Sequence, residues 1–250
     1  MHDAVQQLGG TIIDAISKLD LRDAFHTLGL SADSMQYCGI TPFYGSPTYL
    51  YQRLAMGLSV SPAVWMEFAT RIMEDLPDKN HHIIIMDDVL VHSKLKDHSK
   101  QIEDLFVVIL KHGLKISPRK CQFFMKTLDY MGHTIEVVDR QTCICAHKDR
   151  KDAICKLNQP VNGRDCRGFC GMVNFLAIYL ACLQILLIPI YEMSRKLCKF
   201  EWTEACQKAF VEIKELVTNS PVLAMPNRNG LFHIYADTSI ISCGATQTKA

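Results

Sequence analysis

IIIMDDVLV, Ile83 to Val91, sets two adjacent carboxylates, Asp87 and Asp88, inside an apolar, β-branched run. Ile and Val favour the pleated surface of a sheet and Asp favours turns, so the run reads as two short strands joined by a tight turn. Two acids at the tip of such a hairpin repel each other and lose solvation, and a divalent cation is a common compensating partner. Taken alone, the pair is more simply a solvated turn with no ligand. A second apolar strand shifts that balance. In SKLDLRDAF, Ser17 to Phe25, Leu19 and Leu21 flank Asp20, and an aromatic residue follows five positions after the acid. If the two strands share a sheet, Asp20, Asp87 and Asp88 converge on a space suited to two Mg²⁺ ions.

SKLDLRDAF is followed by YQRLAMGLSVSPA (Tyr51 to Ala63), IMDDVLVHS (Ile85 to Ser93), GLKISPRKC (Gly113 to Cys121) and YMGHTI (Tyr130 to Ile135). In order and spacing, across almost the whole chain, this set resembles the reverse transcriptase of gypsy-type long-terminal-repeat retrotransposons and retroviruses. The resemblance implies an α+β fold: a polymerase palm, an antiparallel sheet backed by helices, then a helical thumb and connection, then the first strand of an RNase H-like domain. The palm is expected over residues 1–147, the thumb-like region over 148–198, and the connection with the start of the RNase H-like domain over 199–250.

The implied activity is RNA-directed DNA polymerisation with two Mg²⁺ ions, or Mn²⁺, at the site. By the same resemblance Asp20, Asp87 and Asp88 supply the carboxylates, Asp20 and Asp87 as the direct ligands, and Leu21 adds a backbone carbonyl. Asp23 and Ala24 match positions whose amides face the incoming triphosphate. Phe25 falls where an aromatic ring lies under the sugar and leaves no room for a 2′-hydroxyl; as a single Phe it is otherwise core packing. Arg53, Met56, Gly57, Ser61 and Pro62 resemble the loop and helix start that track template and nucleotide. Met86 belongs to the motif at the primer and template, where Ile85 replaces the commoner Tyr. Met131 and Gly132 resemble the turn that positions the primer end. The implied partners are an RNA or DNA template-primer and deoxynucleoside triphosphates. Protease, RNase H and integrase parts of a Pol polyprotein are expected outside the chain.

Toward the other end, FHIYADTSIISCGATQ (Phe232 to Gln247) resembles the first strand of the RNase H-like domain, with Asp237 at its first acidic position. The chain stops before further acids of that domain, so ribonuclease activity is not expected of it. Ahead of Ser17 stand 16 residues, where the family carries a fingers segment with basic residues. Poor polymerisation by the isolated chain is therefore expected, and the alternative is an inactive remnant serving as a non-catalytic binding module.

A net charge of +1 neither supports nor excludes a local electrostatic groove for nucleic acid. The 11 cysteines form no CxxC pair and no signal peptide precedes them, so they read as reduced thiols of an intracellular protein, cytoplasmic or nuclear. Cys143, Cys145 and His147 alternate as one face of a strand more simply than as a metal site. Gly168 to Tyr191 lacks any charge, and FLAIYLACLQILLIPI (Phe175 to Ile190) is long enough for a membrane helix. Gln184 and Pro189 interrupt it, however, and the resemblance makes it a thumb helix pair, so no membrane is expected.

Periodicity supplies the helices. One starts at Ser61 and Pro62 and buries Trp65, Phe68, Ala69, Ile72 and Leu76; a second runs from about Asp97 to Gly113 with Ile102, Leu105, Phe106, Ile109 and Leu110 inside. Strands are expected at Cys121 to Phe124, Tyr130 to Val138 and Thr142 to Ala146, with a turn at Asp139 and Arg140. Further helices are expected at Lys148 to Leu157, Arg164 to Leu180 and Thr203 to Val217, with LNQPVNG (Leu157 to Gly163) as a linker. Lys111, Lys115, Arg119 and Lys120 form a basic cluster that either touches phosphates or is merely solvated.

Overall fold

Strand β1 (Ala15–Arg22) is the hub of the first sheet in the computed structural model, which describes residues 8–9, 12–180, 182–195, 200–224, 232–238 and 243–249. The chain divides into two compact units, one built mainly from Met1–Leu128 with Val137–Thr142, the other from Asp129–Glu136 and Cys143–Ala224. In chain order the first unit contains helix α1 (Ala32–Met35), strands β2 (Gly39–Ile40) and β3 (Tyr49–Leu50), helix α2 (Ser61–Met73), strands β4 (His82–Ile85) and β5 (Asp88–Ser93), and helix α3 (Leu95–Lys111). The short strands β6 (Lys115–Ile116) and β7 (Gln122–Met125) follow. The main sheet runs β4-β5-β1-β6, with β7 also paired to β1, and every pairing is antiparallel.

Residues opposite one another in an antiparallel pair point to the same face, and faces alternate along a strand. Leu19 lies across from Val89, and Ser17 across from Val91. Leu19, Val89 and Val91 pack on Trp65, Ala69 and Ile72 of α2 and on Ile102, Leu105 and Ile109 of α3. Each such aliphatic side chain contributes about 1.5 to 3 kcal/mol by leaving water, which is what holds both helices on this face. The opposite face therefore receives Lys18, Asp20 and Asp88. Leu110, expected inside, is 76% exposed, and Val108 takes the buried place beside Ile109. The 100° step from Ile109 carries Leu110 out of the buried arc.

Ser93, Ser17 and His98 tie β5, β1 and α3 together. The His98 ring lies 2.7 Å from each of the Ser17 and Ser93 hydroxyl oxygens. Ser17 Oγ also accepts the Phe124 amide at 3.0 Å. Two neutral tautomers of the ring fit: protonated on Nδ1 it donates to Ser93 and accepts from Ser17, and protonated on Nε2 it does the reverse. Burial holds His98 down at about 4, and burial likewise takes His92, on β5, down to about 3.

The second unit carries most of a sheet ordered β11-β10-β9-β8, from β8 (Thr127–Tyr130), β9 (His133–Val138), β10 (Gln141–Ala146) and β11 (Leu223–Ala224). Its helices are α4 (Lys148–Cys155), α5 (Gly163–Asn174), α6 (Leu183–Met193) and α7 (Glu204–Thr218). The single strand expected from Tyr130 to Val138 is instead two strands meeting at Met131 and Gly132, both at positive φ, 52° and 82°. That is the backbone a two-residue type I′ hairpin needs, and Asp139 and Arg140 repeat it at 48° and 63°. Cys143 and Cys145 lie in β10, while His147 caps α4 by accepting the Asp149 amide.

The charge-free stretch is not one helix. α5 ends at Asn174, a single 3₁₀ turn covers Ala177–Tyr179, and Cys182 takes positive φ, 56°, before α6 begins. The helix expected through Leu180 is thus shorter, and among the described residues no helix is long and apolar enough to cross a membrane. Asn162 caps α5 by accepting the Arg164 and Asp165 amides, and Thr203 caps α7. The C-terminal strands β12 (Phe232–Thr238) and β13 (Cys243–Lys249) pair antiparallel over their whole length, so two strands stand where one was expected.

Candidate active site

The register of β1 against β5 sets Asp20 directly across from Asp88. Asp87 lies one residue earlier, in the two-residue loop closing β4 and β5, where Ile85 faces Asp88. Met86, first in that loop, has φ of 55°, whereas Asp87 has an ordinary negative value. This matches a type II′ hairpin, whose first position normally calls for glycine, so Met86 occupies a backbone conformation that is costly for its side chain. The surroundings hold it there: Trp65 Nε1 donates to the Met86 carbonyl at 2.8 Å, and the Met86 amide donates to the Met66 sulfur at 3.1 Å. On the far side of the loop, the Leu21 amide donates to the Asp87 carbonyl at 2.7 Å. The acidic loop is thus clamped between α2 and β1.

Asp20 is buried, Asp88 is half-buried and Asp87 is exposed. Lys18 Nζ lies 3.1 Å from an Asp88 oxygen, and Lys120 Nζ lies 3.3 Å from an Asp20 oxygen. Burial pushes the Asp88 carboxyl above the usual carboxylate range; Lys18 opposes this, and the charges of Asp87 and Asp20 add to the rise. Carboxylate oxygens are hard donors of the kind a small divalent cation takes. As they stand, two of them grip lysines. Among the described residues no group of three His, Cys, Asp or Glu side chains is gathered closely enough to enclose an ion.

Asp23 follows β1 with φ of 53° and pairs with Arg22 at 3.2 Å. Ala24 is buried, and Phe25 opens a 3₁₀ turn with its ring 6.0 Å from that of Trp65. Arg53 donates to the Thr27 carbonyl at 3.1 Å, Met56 is exposed, and Gly57 takes φ of 92°. Pro62 sits in the first turn of α2, whereas the Ser61 hydroxyl turns back to the Ala55 carbonyl at 2.6 Å instead of capping the helix. Met131 and Gly132 belong to the second unit; a Cβ at Gly132 would collide with the Arg150 guanidinium. Asp237 lies in β12 across from Gly244, and its side chain is outside the described residues. The basic cluster divides: Lys111 pairs with Asp75 at 2.9 Å, while Lys120 reaches Asp20.

Sequence reasoning gave Trp65 only a place in a helix stripe and passed over Met66 and Lys18, the latter hidden in the apolar strand. The alternation of Lys18 with Asp20 was the available signal, since i and i+2 share a strand face.

An antiparallel sheet covered by helices on one face and carrying opposed acids on the other is a polymerase-type palm. The chain belongs to the reverse transcriptase (RNA-dependent DNA polymerase) family, whose profile matches residues 4–135. A second profile, the RNase H-like domain found in reverse transcriptase, matches residues 202–249. The Retrovirus-related Pol polyprotein from transposon 412 of Drosophila melanogaster is 28% identical over all of this chain, which covers 20% of that relative. Transposon Tf2-3 polyprotein of Schizosaccharomyces pombe is 26% identical over 96% of this chain, which covers 17% of it. The chain thus spans about a fifth of the length of these relatives.

The fold is that of the foamy viral protease-reverse transcriptase. Its complex with double-stranded DNA aligns with TM-score 0.81 and 17% identity, over 98% of this chain and 43% of that one. Its complex with an RNA/DNA hybrid aligns with TM-score 0.81 and 16% identity, over 100% of this chain and 33% of that one.

Proposed function

We propose that this chain carries the nucleotidyl-transfer core of an RNA-directed DNA polymerase belonging to the Pol polyprotein of a long-terminal-repeat retrotransposon. It would extend a primer 3′-hydroxyl with deoxynucleoside triphosphates on an RNA or DNA template. The reaction forms a bond from the 3′-oxygen to the α-phosphorus, breaks the α–β bridge and releases pyrophosphate. The observation that carries this reading is the cross-strand pairing of Asp20 with Asp88 beside a clamped Asp87 loop.

Asp20 and Asp87 are the direct ligands in this reading, with Asp88 beside them. A bound divalent cation, Mg²⁺ or Mn²⁺, supplies Lewis-acid stabilisation of the reacting oxygens. The Leu21 amide points to Asp87, and strand geometry turns its carbonyl to the same edge, where it adds a hard oxygen. The amides of Asp23 and Ala24 receive the triphosphate. Phe25, braced by Trp65, lies under the sugar and excludes a 2′-hydroxyl. Met56 borders the nucleotide, and Arg53, Gly57, Pro62, Met86, Met131 and Gly132 contact template and primer. Residues 1–147 serve as palm, 148–198 as thumb and 199–250 as connection and RNase H-like segment. The foamy viral complexes with duplexes support a nucleic-acid partner by likeness of fold.

Primer extension on an RNA template tests this. Extension that needs Mg²⁺ or Mn²⁺ and is lost in Asp20→Asn and Asp87→Asn is expected. Extension that survives both substitutions contradicts the assignment.

A further inference from the structure

Met131 and Gly132 turn the chain from β8 into β9, both at positive φ. That backbone is costly for a methionine, so contacts beyond the turn must hold it. Gly132 shows one of them. A Cβ built there would collide with Nε of Arg150 and would lie 2.9 Å from its Cζ and 2.8 Å from its Nη2. Three atoms of one guanidinium thus occupy the space a side chain would take.

Arg150 is an exposed residue of α4, and an exposed arginine ordinarily samples many rotamers. Phe175 removes that freedom. Arg150 Cζ stands 4.0 Å from the centroid of the Phe175 ring, a cation–π stack. The same ring stacks with His133, at 5.0 Å between centroids and 17° between planes. His133 Nδ1 in turn lies 2.7 Å from the Tyr179 hydroxyl, and both of these residues are buried. Since His133 follows Gly132 in the chain, the contacts close on themselves, from Gly132 through Arg150, Phe175 and His133 back to Gly132. Phe175 and Tyr179 belong to the corner that ends α5 and leads into α6. One guanidinium therefore joins that corner to the turn.

We propose that Arg150 is a positioning residue for the Met131–Gly132 turn, pinned between Gly132 and Phe175, through which the α5–α6 corner sets the turn that orients a primer end. The hold on the turn stands on these contacts alone; only its service to a primer rests on the function proposed above. Arg150 touches no reacting atom in this reading. An arginine suits the task because its planar group stacks on a ring, which the compact ammonium of lysine does less well.

Hydrogen exchange and duplex binding, both on the whole chain, test this. Arg150→Gln is expected to lower protection of the Gly132 and His133 amides about threefold to thirtyfold, the worth of one cation–π stack, and to leave amides in the middle of α7 unchanged. Phe175→Leu should produce the same loss, and the double variant little more. Arg150→Lys keeps the charge without the plane and should restore only part of the protection. An RNA template annealed to a fluorescein-labelled DNA primer, followed by anisotropy, should bind Arg150→Gln and Phe175→Leu several-fold more weakly than the native chain. Lys208→Gln, on α7, should bind it as the native chain does. Unchanged protection at the turn, equal loss throughout α7, additive losses in the double variant, or full restoration by lysine would overturn the proposal. A loosened turn with unaltered duplex affinity would overturn it as well. A native chain that binds no duplex would contradict the function proposed above, and the exchange results would still decide on Arg150.

Discussion

Replacing Trp65 by Phe removes one hydrogen-bond donor and the second ring while leaving an aromatic side chain in place. Trp65 is fully buried, and its indole N–H meets the Met86 carbonyl at 2.8 Å. Leaving a largely buried acceptor unpaired costs about 1 to 3 kcal/mol, and the lost ring volume adds to this. The Met86 backbone, at φ of 55°, then loses one of the two contacts that hold it in an unfavourable conformation. Native-state hydrogen exchange reads the consequence at one atom, the Leu21 amide, because that amide is bonded to the Asp87 carbonyl of the same loop. Protection of Leu21 is expected to fall by roughly tenfold to a hundredfold for a local loss of that size. Amides in the middle of α3, which do not touch the loop, should fall less. Equal loss of protection at Leu21 and throughout α3 would mean that Trp65 is mere core filling, and unchanged protection would remove the clamp altogether.

Acid should weaken the fold well above the carboxylate range. His92 and His98 are held neutral at about 3 and about 4 in the folded chain, while the ordinary value, regained on unfolding, is 6.5. The unfolded chain thus binds more protons, and stability is lost as pH falls from 6.5 towards 3. Each unit of depression is worth about 1.4 kcal/mol, so urea midpoints measured between pH 7 and pH 4.5 should drop steadily, and a flat profile would refute buried neutral rings. Gly132→Ala should lower the melting temperature, because φ of 82° is costly for a residue with a Cβ and because that Cβ meets Arg150. The strain alone is worth about 1 to 2 kcal/mol, several degrees in a scan, and an unshifted midpoint would argue for a different turn. Phe25→Ala should raise ribonucleotide incorporation relative to deoxynucleotide, on the order of tenfold to a hundredfold, in a single-nucleotide extension assay. Unaltered discrimination would return Phe25 to plain packing against Trp65.

Much of the palm was readable because alternation and helical periodicity report burial directly. SKLDL and IIIMDDVLV declared a core face and a polar face, and Trp65, Ala69 and Ile72 declared the helix that covers the first. The register was less accessible. β1 and β5 are joined by no turn, so nothing local says that Asp20 meets Asp88 and not its neighbour, and a slip of one residue would move every side chain to the other face. The clamp on the loop was invisible for another reason. Periodicity places Trp65 inside but cannot say where its N–H points, and positive φ at a methionine contradicts local preference. Lys18 and Lys120 illustrate the same limit, since sequence shows a charge and only the fold shows which acid it faces. In the charge-free region, hydropathy alone favoured a continuous helix. The break at Cys182 and the 3₁₀ turn at Ala177–Tyr179 arise from tertiary packing that overrides local preference, with Tyr179 buried and 2.7 Å from His133.

Mn²⁺ is a paramagnetic stand-in for Mg²⁺ at hard oxygen sites, and nuclear magnetic resonance line broadening maps where it sits. The account predicts that substoichiometric Mn²⁺ broadens the amides of Asp20, Leu21, Asp87 and Asp88 before any others, that Mg²⁺ restores them, and that Asp20→Asn abolishes the effect. Broadening centred elsewhere, or unchanged when Asp20 is replaced, would contradict a metal shared between the two strands.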